Sequence, residues 1–340
     1  MRKPNPSIGL KTIAMVPQIT SEEWARLDIL SKWLIAIRAR FLVMTVVSCA
    51  IGGLLAFKVG KFQFFAWLLC TIGYLFAHAT ANILNDLVDY LLGVDRGNYL
   101  RLYDEPHPLA HNLMSLKGHF LCTLLTSSLT LIIWIYLVLL RDQFALLLFL
   151  AQIFILLFYT YPLKWVGLGE LAIFTTWGPL MVGGCYFFTS GEWSWQVVLA
   201  SIPQALGVTS VLLGDHLDKY ELDKAKGIRT LPVIIGERNA RYLTILVILC
   251  QYLSLFYLVA IRFFSPVMLL VLLVFPSFLR VFKLLQFPMP KEKPLDFQDF
   301  LVDKWPRWFR AGIFWHNRRF GSVFLIALIM EVIFSKCKLI

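Results

Sequence analysis

Apolar runs of about 20 residues, each long enough to cross a hydrocarbon core of about 30 Å, follow one another from residue 34 almost to the end of the chain. A backbone in lipid has to satisfy its own hydrogen bonds, so such runs are helical. Only 16% of the 340 residues are charged and 59% are hydrophobic, against about a quarter charged in a soluble domain. These features predict an all-α polytopic membrane protein, with about nine spans near 34–57, 63–92, 119–140, 143–161, 168–188, 195–213, 242–261, 264–286 and 321–335.

The distribution of basic residues tests that count. With the N-terminus inside, 26 of the 32 Lys and Arg residues fall on the inner side and 6 on the outer, the asymmetry expected of cytoplasmic loops. A wrong parity would blur it. The expectation is a multi-pass protein with its N-terminus and acidic loops cytoplasmic, in the cell membrane if the source is bacterial. The net charge of +11 is thereby a membrane signature, and no nucleic-acid-binding motif accompanies it. Residues 1–33 have no signal-peptide apolar region, because Lys3, Lys11, Glu22, Glu23 and Arg26 interrupt it; they read as a cytoplasmic arm. Residues 34–286 form an eight-helix core. Residues 287–320 read as a cytoplasmic interfacial segment, because Pro288, Pro290, Pro294 and Pro306 break it. Residues 321–340 make the last span and a tail. The six cysteines stand singly and read as small packing residues.

Two acidic clusters stand out. The first ends the second span: His78, Asn82, Asn85, Asp86 and Asp89 share one helix face, and Asp95 follows the break at Gly93. Carboxylates in a membrane helix are expensive, and neighbouring ones repel unless a cation sits among them. The second follows the sixth span: Asp215, Asp218, Glu221 and Asp223, interleaved with Lys219, Lys224, Lys226 and Arg229. Oxygen donors with few nitrogen or sulfur ligands point to Mg²⁺. One acidic loop between spans is ordinarily only solvated. Two on one side of the membrane, with cations beside them, suit a polyanionic substrate such as a diphosphate. The loop Tyr159–Glu170 lies on the same side, and its Lys164 is a candidate diphosphate contact.

These residues resemble the UbiA superfamily of intramembrane prenyltransferases. Asn85-Asp86-Leu87-Val88-Asp89 with Gly93-Val94-Asp95 is similar to the family's first Asp-rich motif, and Asp218 to Asp223 with Lys224-Ala225-Lys226-Gly227-Ile228-Arg229-Thr230-Leu231-Pro232 to its second. Leu168-Gly169-Glu170 and Trp177-Gly178-Pro179-Leu180 are most similar to the branch that prenylates 1,4-dihydroxy-2-naphthoate in menaquinone synthesis. The resemblance covers roughly residues 34–286. It implies helices around a central cavity under a cytoplasmic cap, with a prenyl diphosphate and an aromatic acceptor as substrates. It implies metal ligands at Asn85, Asp89, Asp95 and Asp223, and a diphosphate contact at Lys164. With the acids of the residue-level reading, the expected metal set is Asn85, Asp86, Asp89, Asp95, Asp215, Asp218 and Asp223. The diphosphate set is Asn82, Asn85, Lys164, Lys224 and Arg229, with Asp89, Lys164 and Asp223 central to catalysis.

The chain departs from the family pattern in three places. Lys219 stands where the second motif usually has an acid, and the acid falls one position earlier at Asp218. Asp215-His216 replaces an upstream Asn-Asn pair. Glu105-Pro106-His107-Pro108-Leu109-Ala110-His111-Asn112 replaces an Arg-Pro-Leu stretch; its histidines read as ordinarily solvated, with replacement of a basic contact as the alternative. In the implied reaction, metal ions and cations neutralise the diphosphate, the allylic C–O bond breaks, and an electron-rich ring carbon captures the cation in a water-free pocket. A cation transporter with paired acidic sites is the alternative from another class, although transporters place such acids nearer the bilayer midplane. A CDP-alcohol phosphotransferase would need a DGxxAR run, which Asp89-Tyr90-Leu91-Leu92 does not supply.

Overall fold

A computed structural model describes residues 19–97, 99–100, 102, 106–293 and 305–337. Most of the N-terminal arm, Glu105 and the stretch 294–304 thus lie outside the described residues. Within them the chain is helical, with no strand. The helices are α1 Ser21–Ala25, α2 Ile29–Ala36, α3 Leu42–Lys58, α4 Phe64–Leu91, α5 Leu116–Leu139, α6 Gln143–Phe158, α7 Gly169–Thr175, α8 Gly184–Ser190, α9 Trp195–Ala200, α10 Ile202–Asp218, α11 Tyr220–Ala225, α12 Leu231–Ile235, α13 Glu237–Ala260, α14 Phe275–Leu285 and α15 Trp308–Lys336. A π-helical stretch, Thr176–Gly183, joins α7 to α8 around Pro179, whose missing N–H cannot continue an α-helical ladder.

Among the described residues, six helical segments are long and apolar enough to cross a membrane: Ala39–Lys58, Phe64–Leu91, Leu116–Leu139, Gly169–Ser190, Glu237–Ala260 and Pro266–Leu285. The other three regions expected as spans are helical too, but α6 is shorter, α10 is rich in buried polar residues, and α15 carries Arg310, Arg318, Arg319 and Glu331. Large apolar side chains line the outside, such as Leu139 and Ile132 at 78% and 64% exposure, a surface suited to lipid and not to water.

One expected boundary moves. The last helix begins at Trp308 and not near 321. The four prolines that argued for a long break end at Pro306, and nothing after it prevents a helix. Arg310, Arg318 and Arg319 of the segment expected to be interfacial ride on this helix; the Arg319 guanidinium lies 3.6 Å from the Trp315 ring centre.

The chain divides into two compact units, Met1–Val46 with Leu68–Phe149, and Val47–Trp67 with Leu150–Ile340. In the first, α1 opens with a capping box, Thr20 and Glu23 bonding each other's backbone N–H, and Asp28 caps α2. Trp24, Leu27 and Ile35 from these helices pack with Leu113 and Met114, and the Trp33 indole donates to the Thr126 hydroxyl at 3.1 Å. The part of the arm that is described is therefore folded onto its unit.

In the second unit α10 is the inner helix, packed by α7, α13 and α15. Close approaches are made through glycine. At Gly52 a Cβ would lie 2.7 Å from the Val182 carbonyl oxygen and 3.0 Å from Cys185 Cβ. Gly52→Ala is therefore expected to destabilise the protein by about 1–3 kcal/mol, read as a lowered Tm of the purified protein in detergent. An unchanged Tm would mean that the helices can separate freely there.

Candidate active site

In the first unit the acidic face of α4 is closed by residues that its own pattern does not reveal. The chain enters α3 through Arg38, a non-glycine residue at φ 54°, and the Asn82 amide holds the preceding turn by donating to the Ile37 carbonyl at 2.7 Å. This turn directs the Arg38 guanidinium onto the fully buried Asp86 carboxylate, in a short ion pair, and onto Asn85 Oδ1 at 3.3 Å. Asn85 in turn donates to Asp89 Oδ2 at 3.0 Å. Gly93, at φ 74°, ends the helix. The Asp89 carbonyl then accepts the N–H of Val94 at 2.8 Å and of Asp95 at 3.4 Å, which folds Asp95 back, as expected from its place after the glycine.

His107 completes the cluster. It is fully buried, not solvated. Its Nδ1 accepts the N–H groups of Leu109 and Ala110, at 3.3 and 3.2 Å, so Nε2 carries the ring proton. That proton points to Asp95 Oδ2 at 2.9 Å, with Asp86 Oδ1 at 3.9 Å. The ligand atoms of Asp86, Asp95 and His107 lie within 4.8 Å of one another. With Nε2 protonated, His107 orients Asp95 and is no ligand itself. What remains is a set of buried carboxylate oxygens, the donor chemistry of a hard cation such as Mg²⁺. The residues present fit that ion.

In the second unit, three segments meet. Lys164 is buried in a tight turn, Leu163–Val166. A Cβ on Gly169 would lie 3.5 Å from Lys164 Cα and 3.6 Å from His216 Cε1, and one on Gly167, at φ 77°, would lie 3.5 Å from the Arg229 carbonyl oxygen. The Lys164 turn thus packs against both ends of the second acidic run. Asp223 on α11 is buried, whereas Lys224 and Arg229 are exposed. Glu170 Oε1 bonds His216 Nδ1 at 2.8 Å, and both residues are buried.

The other two acids expected as ligands are engaged differently. Asp215 takes Arg307 Nη1 at 2.6 Å and Arg310 Nη1 at 2.8 Å on one oxygen, and Lys219 Nζ at 2.5 Å on the other. Burial alone would raise its pKa, but Lys219, Arg307 and His216 outweigh that and hold the carboxyl well below the usual carboxylate range. Asp218 accepts two backbone N–H groups of the last helix. In the sequence Arg38 is one of the inner-side basic residues, and Arg307 and Arg310 fall in the segment 287–320. Their partners lie 48 to 95 residues away in the chain, so no local signal joined them.

A helical membrane protein with clustered buried carboxylates and a buried lysine is built to handle an anionic substrate in or beside the bilayer. Residues 45–300 match the model of the UbiA prenyltransferase family, and the chain belongs to that family; it is a prenyltransferase. It is 27% identical over 233 residues to the 2-carboxy-1,4-naphthoquinone phytyltransferase of Synechocystis sp., covering 65% of this chain and 71% of that one. It is 28% identical over 254 residues to UbiA prenyltransferase domain-containing protein 1 of Danio rerio, covering 70% and 71%. Two solved structures share the fold. A UbiA homolog from Aeropyrum pernix K1 without ligand has a TM-score of 0.59 at 14% identity, over 87% of this chain and 98% of that one. A UbiA homolog from Archaeoglobus fulgidus bound to GPP and Mg²⁺ has a TM-score of 0.56 at 16% identity, over 86% and 99%.

Proposed function

We propose that the acceptor of this prenyltransferase is an aromatic quinone precursor, such as 1,4-dihydroxy-2-naphthoate, alkylated by a prenyl diphosphate with release of diphosphate. The observation that carries the reading is the buried acidic end of α4, where Asp86 and Asp95 bring carboxylate oxygens within 4.8 Å of each other and Asn85 donates to the Asp89 carboxylate. Asn85, Asp86, Asp89 and Asp95 would hold Mg²⁺ in the first unit and Asp223 in the second. Bound Mg²⁺ supplies the positive charge that stabilises a departing diphosphate. Lys164, Lys224 and Arg229 in the second unit are candidate contacts for diphosphate oxygens, as are Asn82 and Asn85 in the first. The allylic C–O bond breaks and its electron pair leaves with the diphosphate. A ring carbon of the acceptor forms the new C–C bond, and the ring rearomatises by losing the proton, or the carboxylate as carbon dioxide, that this carbon carried. Apolar helix faces exclude water from the allylic cation, and the isoprenoid tail stays among them. The active-site loops face the cytoplasm.

The relative from Synechocystis, named for a naphthoquinone acceptor, and the homolog bound to GPP and Mg²⁺ support this reading. Purified protein in nanodiscs with Mg²⁺, a long-chain prenyl diphosphate and a panel of aromatic acids is expected to release diphosphate and yield a prenylated naphthoate by mass spectrometry. Product from a benzoate but none from the naphthoate would overturn the acceptor. No diphosphate release with any acceptor would overturn the reaction.

A further inference from the structure

One of the departures of the second acidic run from the family pattern, the shift of an acid by one position, has a structural consequence. Four residues before Asp223 stands Lys219, and the acid is Asp218. Asp218 is the last residue of α10, whereas Lys219 is its C-cap, outside the helical backbone, so the displaced acid leaves from the helix and not from the turn that follows it. There Asp218 meets the first turn of α15. Its Oδ1 accepts the N–H of Phe309 at 2.8 Å and its Oδ2 the N–H of Arg310 at 3.1 Å. These are the second and third residues of a 29-residue helix whose own N-cap residue, Arg307, makes no side-chain cap. The first amides of a helix have no partner within it. Asp218 therefore does from another helix what an N-cap side chain does locally, with a negative charge at the positive end of the helix dipole.

Two further contacts point the same way. Asp215, three residues earlier, binds the side chains of Arg307 and Arg310, so backbone and side chains of one turn are held by two acids. At Gly214 a Cβ would lie 2.7 Å from Ile313 Cδ1 and 3.1 Å from Arg310 N and Cα. Any side chain there would push α15 away. Gly214, Asp215 and Asp218 form one seat for the start of the last helix.

We infer that Asp215 and Asp218 are positioning residues, which fix the second acidic turn to the last helix, and that among Asp215, Asp218 and Asp223 only Asp223 binds the ion. This rests on the proposed reading of Asp223 as an ion ligand. The seat links the segment before α15 mechanically to the turn that presents Asp223, which gives the arginines before and within that helix a role that their basic charge alone does not explain.

The test uses full-length protein in nanodiscs, with Mn²⁺ in the presence of a prenyl diphosphate as a paramagnetic probe and hydrogen exchange of the peptide spanning residues 305–315. In Asp218→Ala, the Phe309 and Arg310 amides are expected to exchange about tenfold faster, with Mn²⁺ affinity within about twofold of wild type. Gly214→Ala should speed the same amides without touching any carboxylate. In Asp223→Ala, Mn²⁺ affinity should fall about tenfold or more with exchange unchanged. Asp218→Asn removes the charge but keeps one acceptor and the shape, and covers the case in which the alanine variant does not fold. A tenfold loss of Mn²⁺ affinity in Asp218→Asn, or unchanged exchange in Asp218→Ala, overturns the inference. Unchanged Mn²⁺ affinity in Asp223→Ala would overturn the functional reading and the ion assignment with it, and exchange in Asp218→Ala would then decide the helix seat alone.

Discussion

Asp89→Ala is expected to reduce diphosphate release at least about a hundredfold, with little change in Tm. Asp89 is 5% exposed and stands at the last turn of a membrane helix, where an ionised carboxylate without a cation is unfavourable. The protein holds it there by a hydrogen bond from Asn85 and uses its carbonyl to fold Asp95 back. Truncating the side chain leaves that carbonyl in place, so the turn should survive while an oxygen donor is lost. Asn85→Ala should have the smaller effect of about tenfold, because it loosens Asp89 without removing it. The measurement is continuous detection of diphosphate at saturating prenyl diphosphate and acceptor. Full activity in Asp89→Ala, or in excess chelator, would sink the assignment of the first cluster.

How much of this was legible in the sequence follows from the range of each interaction. The helices came from runs of apolar residues, and the polar face of α4 came from a period of three to four; both are local signals. Gly93 announced that Asp95 returns, because a helix end needs no distant partner. The partners of these acids were not legible. His107 binds Asp95 across 12 residues and reads as a loop histidine until its burial is known. Glu170 and His216 are 46 residues apart, and Asp218 reaches Phe309 across 91. The replacement of an acid by Lys219 was visible, but where the displaced acid points depends on what packs against α10. The start of α15 was misplaced for a related reason. Arginines on a helix look interfacial until Asp215 and the Trp315 ring are seen beneath them.

Arg38→Ala is expected to destabilise the fold by about 3–5 kcal/mol, the penalty for leaving a buried carboxylate without its counterion. Asp86 is fully buried and Arg38 is its ion-pair partner. Arg38 also occupies the left-handed region, which disfavours any residue with a Cβ by roughly 1–2 kcal/mol. Charge and strain can be separated. Arg38→Gly removes the same charge but relieves the strain, so it should be less destabilised than Arg38→Ala by about 1 kcal/mol. Adding Asp86→Asn to Arg38→Ala should recover a good part of the loss, because the amide carries no charge to bury. Equilibrium unfolding in mixed micelles reads all three differences. Equal stabilities for the glycine and alanine variants would show that the turn is not strained. A double variant no more stable than Arg38→Ala would show that Asp86 finds its compensation elsewhere, in which case the guanidinium serves Asn85 and, through it, the orientation of Asp89.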